Sequence, residues 1–440
     1  MLEKIFHLKE KKTTVKVELI AGLTTFLAMA YILGVNPSVL QDAGMDSQAV
    51  FMATAISAAI ASIIMGVVSN YPVALAAGMG VNALFAYTVC GQMGYSWQAA
   101  LAAVFLSGLI FVIISVTKIR KTIINAIPQQ LKLAIGSGIG FFIAFVGLKN
   151  SAIIVASEST GVTLGNLKDP TVLLAVFGIL ITIALLARKV SSAVFIGMAI
   201  TAIIGIICGT VFQIEGMPTL PEKAFNFDFT ISTTGAFLQG FKELFADPVQ
   251  CAVVIFSFVF VDFFDTAGTL VAVANRIGII NEKGEVENIE RALFGDAIGS
   301  VAGAVLGTST VTSYVESTAG VGAGGKTGLT ACTTGVLFLA SIFISPIILT
   351  SVTNAVTAPA LVVVGILMAQ QLKEINWDNF IYATAGFITI ITMILTYSIA
   401  DGIAIGFIAY AVAMISSGKI KEVNKTVWAL LVVFVLYFML

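Results

Sequence analysis

Long apolar runs, each near the length of a bilayer crossing, alternate with short polar connections from residue 17 to the end of the chain. A spanning helix needs about 20 mostly apolar residues, within a range of about 17–25. On that measure the pattern predicts spans at 17–35, 48–69, 78–93, 97–117, 129–149, 170–188 and 191–212. After a polar stretch it predicts 248–275, 290–307, 314–325, 329–349, 356–372, 378–397 and 400–416. Two of these fourteen, 78–93 and 314–325, are short, and the last apolar run, 426–440, fits a half-buried terminal helix. The basic stretch 1–16 precedes an apolar run without a convincing small-residue cleavage site. That run reads as a retained first span rather than a signal peptide.

Composition supports the same picture. Hydrophobic residues make up 58% of the 440 positions and charged residues 11%, against about 25% charged in soluble domains. Too little polar surface exists to solvate several globular domains. A net charge of −1 with no basic runs argues against nucleic acid. Cys90, Cys208, Cys251 and Cys332 are isolated and the single histidine, His7, lies in the tail, so no metal site, disulfide framework or cofactor is expected. All of this describes an all-α polytopic membrane protein.

Cytoplasmic loops should hold the Lys and Arg. With the N-terminus inside, the inner segments hold Lys4 to Lys16, then Lys118, Arg120, Lys121 and Lys132, later Arg276, Lys283, Arg291 and Lys326, and finally Lys419 to Lys425. Arg188, Lys189 and Lys373 also fall inside; only Lys149, Lys168, Lys223 and Lys242 fall outside. The expected organisation is a cytoplasmic tail 1–16, a first seven-span half 17–212, an extracellular connection 213–247, a second seven-span half 248–416 and a C-terminal segment 417–440. An odd number of spans per half forces opposite orientations, so any repeat is an inverted one. Tyr71-Pro-Val-Ala-Leu-Ala-Ala-Gly-Met-Gly before the third span and Gly307-Thr-Ser-Thr-Val-Thr-Ser-Tyr-Val-Glu before the tenth echo each other. Short, interrupted segments at matching positions of two halves point to a transporter's midplane site.

Most acidic residues lie in loops or tails, but Asp262, Asp265, Asp296 and Glu316 lie in apolar surroundings. A mid-bilayer carboxylate costs at least about 2.5–3.5 kcal/mol, so such residues default to function. Apart from Arg291 at the very start of the ninth span, no Lys, Arg or His lies within these spans to neutralise them. A proton on at least one of them relieves that cost, which is what a proton-coupled carrier requires. Asp262 and Asp265, three apart, share a broad helix face, and Thr266-Ala267-Gly268-Thr269 after Asp265 lets backbone approach a ligand. Asp296 suits either a helix cap or a partner for backbone N–H groups. Glu316 opens the tenth span after the strand-like TVTSYV, where the positive helix end favours a polar ligand. Gly320-Val-Gly-Ala-Gly-Gly-Lys326-Thr327 matches a phosphate-binding loop letter for letter. That loop needs a soluble parallel sheet, and here it lies between two spans. It reads as a Gly-rich turn at the inner membrane face.

FVDFFDTAGTL, GDAIGSVAG and TSYVESTAGVGAGGKTGL, with TTFLAMAYIL and AAGMGVNALFAYTV in the first half, resemble the AzgA-like branch of the nucleobase:cation symporter-2 (nucleobase–ascorbate transporter) superfamily. The likeness spans roughly residues 16–416. It implies a seven-plus-seven inverted repeat whose spans three and ten are broken by short β-strands. It also implies a core domain of spans 1–4 and 8–11 and a gate domain of spans 5–7 and 12–14. By the same resemblance the substrate-binding residues are Asp265, Glu316, Tyr314, Thr269, Ala28, Gly78, Met79 and Asn82. Coupling falls on Asp296, with Asp265 and Asp262 as further candidates. The implied function is secondary active uptake of purine bases, guanine or hypoxanthine first and adenine as the alternative, with H⁺ or Na⁺. A homodimer in the cell membrane is implied too. The chemistry is consistent: a carboxylate accepts two parallel N–H bonds, which suits Glu316 to the N1–H and amino edge of guanine. A pore gives no reason for uncompensated acids beside interrupted helices, an anion carrier would want positive rather than acidic side chains, and no hydrolytic motif suggests an enzyme.

Overall fold

The computed structural model describes residues 2–116, 127–190, 192–229, 231–277 and 289–439. Among them nine helices are long and apolar enough to cross a membrane, beginning with Val15–Gln41 and Ser47–Ser69 and ending with Ile399–Ser416. Of the remaining apolar runs, two hold the helices Pro248–Ile277 and Ile289–Leu306, and others hold shorter helices, among them Ser317–Gly322, Phe380–Leu395 and the terminal Lys425–Met439. Of the basic residues expected on the inner side, Lys118, Arg120, Lys121 and Lys283 lie outside the described residues.

Local chemistry sets the helix starts. Asp46 Oδ1 accepts from Ala49 N at 2.8 Å and caps the second long helix, supplying one of the acceptors that a first turn lacks. Asp169 does the same ahead of Pro170, accepting from both the hydroxyl and the N–H of Thr171 at 2.7 and 2.8 Å. Those two bonds, the hydroxyl first, hold its carboxyl below the ordinary aspartate range. The first span runs past the expected 17–35: after Met29 the chain continues as Ile32–Gln41. The polar Asn36 that interrupts the apolar run is buried, and its amide donates to Thr54 and Thr308 at 2.6 and 2.8 Å.

The two interrupted segments meet. β1 (Leu75–Ala77) pairs antiparallel with β4 (Val311–Ser313), Leu75 opposite Ser313 and Ala77 opposite Val311. Gly78 N–Thr310 O at 2.9 Å and Tyr314 N–Ala74 O at 3.1 Å extend the pair at either end. Inside a membrane every backbone polar group needs a partner, and hydroxyls from neighbouring helices serve the outer edges. Ser62 both accepts from Leu75 N and donates to Leu75 O; Ser300 donates to Val311 O. Each serine comes from the helix just before its own strand, so the two halves solve the edge problem alike. A Cβ on Gly78 would sit 2.8 Å from Thr312 Cγ2, so the junction needs glycine there. β2 (Ile154–Ser157) and β3 (Gly161–Leu164) form a separate hairpin in a connecting loop.

Helices Gln129–Asn150 and Asn354–Ala369 lie against one another so closely that a Cβ on Gly140 would meet Met368 Cβ at 2.5 Å. Small residues allow such approach where lipid supplies no hydrophobic drive. The terminal helix buries Phe434 against Phe260 and Phe407, with ring centres 5.0 and 5.2 Å away, while much of its opposite face stays exposed.

The Gly-rich 320–327 stretch ends the short helix Ser317–Gly322 and turns into Gly328–Ser341, which Thr327 caps. Its donors face a carboxylate of the chain itself: Glu18 accepts from Lys326 N at 3.0 Å, Thr327 N at 3.3 Å and Thr330 Oγ1 at 2.6 Å. Glu18 is fully buried. The expectation of only four acids in apolar surroundings therefore needs correction, because Glu18 is a fifth. It sits in the first turn of its helix, at the very start of the span expected at 17–35, next to the polar tail.

Candidate functional site

A cavity of about 350 Å³ opens beside the paired strands, within the size range of small-molecule sites. Helix Pro248–Ile277 presents Asp265 and Thr269 to it, and the end of β4 presents Thr312, Tyr314 and Glu316. Met79, first residue of the short helix that follows the other strand, completes that side. The facing side is apolar at its centre, with Ile139 and Ile143 of one helix and Val364 and Met368 of another. Lys132 and Gln371 lie at its rim, on the same helix faces as these apolar residues.

The carboxylates on the first side are oriented by neighbours. Tyr31 OH donates to Glu316 Oε1 at 2.7 Å, a charge-assisted bond when the carboxylate is ionised. Thr312 Oγ1 lies 3.3 Å from Asp265 Oδ2. Tyr314 donates its hydroxyl to Ala77 O, pinning one strand to the other, and its ring lies 6.5 Å from that of Tyr31. The result is a pair of acceptor groups on one face, an apolar slab opposite and a lysine at the rim. Such a site suits a flat molecule with N–H donors on one edge.

Asp262 and Asp296 lie behind this face, both fully buried. Asp262 Oδ2 accepts from Ser300 Oγ at 3.3 Å, so the shared face with Asp265 does not bring both acids into the cavity. Asp296 sits well inside helix Ile289–Leu306, which corrects the helix-cap reading. The other reading holds: its Oδ1 accepts from Ser313 N at 3.1 Å and Ser313 Oγ at 3.3 Å, and its Oδ2 from Thr266 Oγ1 at 2.9 Å. Asp296 thus joins the residue next to Asp265 to the last residue of β4.

Ala28 is buried and Asn82 fully so, and neither lines the cavity. Asn82 instead donates to Asn36 Oδ1 at 2.7 Å and accepts from Ser309. Gly78 stands at the edge, where a Cβ would come within 3.4 Å of Asp265 Oδ2. Sequence reasoning missed Tyr31, Lys132 and Gln371. Tyr31 lies within TTFLAMAYIL, one helical turn after Ala28, so the motif was informative but the residue chosen from it was not. Gln371 belongs to a Gln-Gln pair that interrupts an apolar run, a visible signal.

The Permease family model (Xan_ur_permease) matches residues 16–405. The chain is 50% identical to the guanine/hypoxanthine permease PbuG of Bacillus subtilis (strain 168), covering 99% of both chains. It is 41% identical to the adenine permease AdeQ of Escherichia coli (strain K12), over 99% of this chain and 95% of that one. In three dimensions it resembles the transmembrane domain of the cyanobacterial bicarbonate transporter BicA, with a TM-score of 0.60 at 16% identity. That likeness covers 90% of this chain and 97% of the other, and it bears on the fold.

Proposed function

The chain belongs to the permease family, and from that membership we propose that it takes up purine nucleobases, guanine and hypoxanthine first, by proton-coupled secondary active transport. The observation that carries this reading is the placement of Glu316 and Asp265 together in one cavity beside two interrupted segments. Glu316 accepts the N–H edge of the base, with Tyr31 holding its other lone pairs in place. Tyr314, Thr269 and Met79 shape the same side, and the apolar helices opposite cover the ring faces. Asp296 couples proton to transport from behind the strand, with Asp265 bridging the two tasks and Asp262 as a further candidate. Gly78 supplies clearance, while Ala28 and Asn82 support the site from outside its lining. The name of PbuG supports guanine and hypoxanthine over the adenine alternative, given its higher identity than AdeQ.

In this reading the chain forms fourteen spans in two inverted halves, 17–212 and 248–416. The core comprises spans 1–4 and 8–11, and the gate spans 5–7 and 12–14. The N-terminus is cytoplasmic, the protein sits in the cell membrane as a homodimer, and the cavity rim at Lys132 faces the cytoplasm. The test is uptake of radiolabelled hypoxanthine by cells expressing the chain, challenged with unlabelled bases and a protonophore. Guanine should compete best and the protonophore should abolish accumulation. Accumulation without any ion gradient, or competition by adenine alone, sinks the corresponding part of the proposal.

A further inference from the structure

Helix Gln129–Asn150 carries the cavity rim at one end and a polar seam at the other. From Lys132 to Asn150 the helical rise is about 27 Å, close to the thickness of a bilayer core. The cavity follows this helix only as far as Ile143. Beyond it, Asn150 Nδ2 donates to Tyr87 OH at 2.7 Å, and Tyr87 OH donates to Asp42 Oδ2 at 2.9 Å. Beside them Ser38 Oγ donates to Asn354 Oδ1 at 2.9 Å, at the start of helix Asn354–Ala369. Lys149 Nζ stands 4.2 Å over the ring of Tyr397, which also packs edge-on against Tyr87 at 5.4 Å. The Asn150–Tyr87 and Ser38–Asn354 bonds and the Tyr87–Tyr397 ring contact join the segments 32–42 and 84–92 to the helices of the facing side, while the Tyr87–Asp42 bond and the Lys149–Tyr397 contact brace either side of the seam.

Tyr397 shows further signs of a switch position. It connects helices Phe380–Leu395 and Ile399–Ser416 with a φ of +57°, a backbone region that a bulky side chain adopts only at a cost. Its buried hydroxyl has no hydrogen-bond partner among the described residues. The Ser38–Asn354 and Tyr87–Asp42 bonds are exposed and the Asn150–Tyr87 bond only part-buried, so water can replace them when they part. A contact that must part in every cycle has to be weak, and several together still hold one end shut.

From this arrangement we infer that Tyr87, Asn150 and Asp42, with the Ser38–Asn354 and Tyr87–Tyr397 contacts, form the gate that closes the site on the face opposite its open rim. In the proposed topology that face is extracellular. The inference rests on the reading of the chain as a transporter. It adds the residues whose separation admits substrate from the second side.

The first test locks the seam. Ser38→Cys with Asn354→Cys, bridged by a short thiol-cleavable cross-linker, should cut hypoxanthine uptake at least about tenfold, with recovery on reduction. Single-cysteine variants given the same reagent control for Cys90 and the other native thiols. Binding of labelled hypoxanthine to the solubilised, cross-linked protein should stay within about twofold, because the rim remains open. Normal uptake by fully cross-linked protein, or loss of binding together with uptake, overturns the gate. The second test needs no substrate, so it stands even if the purine reading falls. Ile143→Cys in the cavity should react slowly with a membrane-impermeant maleimide outside intact cells. Adding Tyr87→Phe should raise that rate at least about fivefold by shifting the population toward the outward-open state. An unchanged rate, or rapid labelling before Tyr87 is altered, refutes the assignment.

Discussion

Tyr31 and Glu316, separated by 285 positions in sequence, share a 2.7 Å hydrogen bond at the wall of the cavity. The phenol can donate only one proton, and here it donates it to Oε1. This fixes which carboxylate oxygen remains for a ligand. Tyr31→Phe keeps the ring and the shape of the wall but removes the bond. A hydrogen bond to a charged group contributes about 1.5–3 kcal/mol, so hypoxanthine binding to the purified variant should weaken by about one to two decades. Unchanged affinity would mean that Tyr31 does not orient Glu316.

The same bond sharpens what Glu316→Gln should do. A glutamine amide must turn its oxygen toward the Tyr31 hydroxyl to keep that donor satisfied. Its NH₂ then faces the cavity, opposite the N–H edge of the base. Two opposed donors leave both unpaired at a cost of about 1–3 kcal/mol. Equilibrium binding of labelled guanine should fall about tenfold or more. Wild-type affinity in this variant would remove Glu316 from base recognition.

Asp296→Asn should separate coupling from binding. The asparagine oxygen still accepts from Ser313 N, and the Thr266 hydroxyl can rotate from donor to acceptor to meet the new NH₂. β4 therefore keeps its place and binding should stay within a few-fold. Concentrative uptake should collapse, because the proposed coupling role requires a side chain that exchanges a proton. Paired binding and uptake measurements decide the point; lost binding with intact accumulation reverses the roles of Asp296 and Glu316.

Residue types and run lengths made much of this legible. Apolar runs near bilayer length placed the helices, and the acids of FVDFFDTAGTL and TSYVEST stood out because hydrocarbon rarely tolerates them. Asp265 and Glu316 do share the cavity. Contacts between the halves were not legible, since nothing local pairs Tyr31 with Glu316 or Asn36 with Thr308. The resemblance points to Asn82 in an interrupted span, but Asn36 and Ser309 satisfy its amide away from the cavity. Nothing local marks Tyr31 either, because an aromatic in a span ordinarily reads as packing.

Glu18 offers the last prediction, since it explains why a letter-perfect phosphate-loop motif need not hold phosphate. The backbone N–H groups of Lys326 and Thr327 and the hydroxyl of Thr330 converge on its carboxylate. An anion is cradled there already, and it belongs to the chain. Lys326 takes part through its main chain, so Lys326→Ala retains the bond and should leave energised uptake within a few-fold of wild type. Glu18→Ala strands the two backbone donors and leaves the Thr330 hydroxyl only its longer bond to the Glu18 carbonyl. Each buried donor left unpaired costs about 1–3 kcal/mol, so the detergent-purified variant should unfold at markedly lower temperature or fail to accumulate. Glu18→Gln should fall between the two, because its remaining oxygen serves one side and the Thr330 hydroxyl can turn to accept. The expected order of thermal stability is wild type and Lys326→Ala together, then Glu18→Gln, then Glu18→Ala. Specific ATP binding by the wild-type protein, lost in Lys326→Ala, would show instead that the loop binds nucleotide and that its contact with Glu18 is incidental.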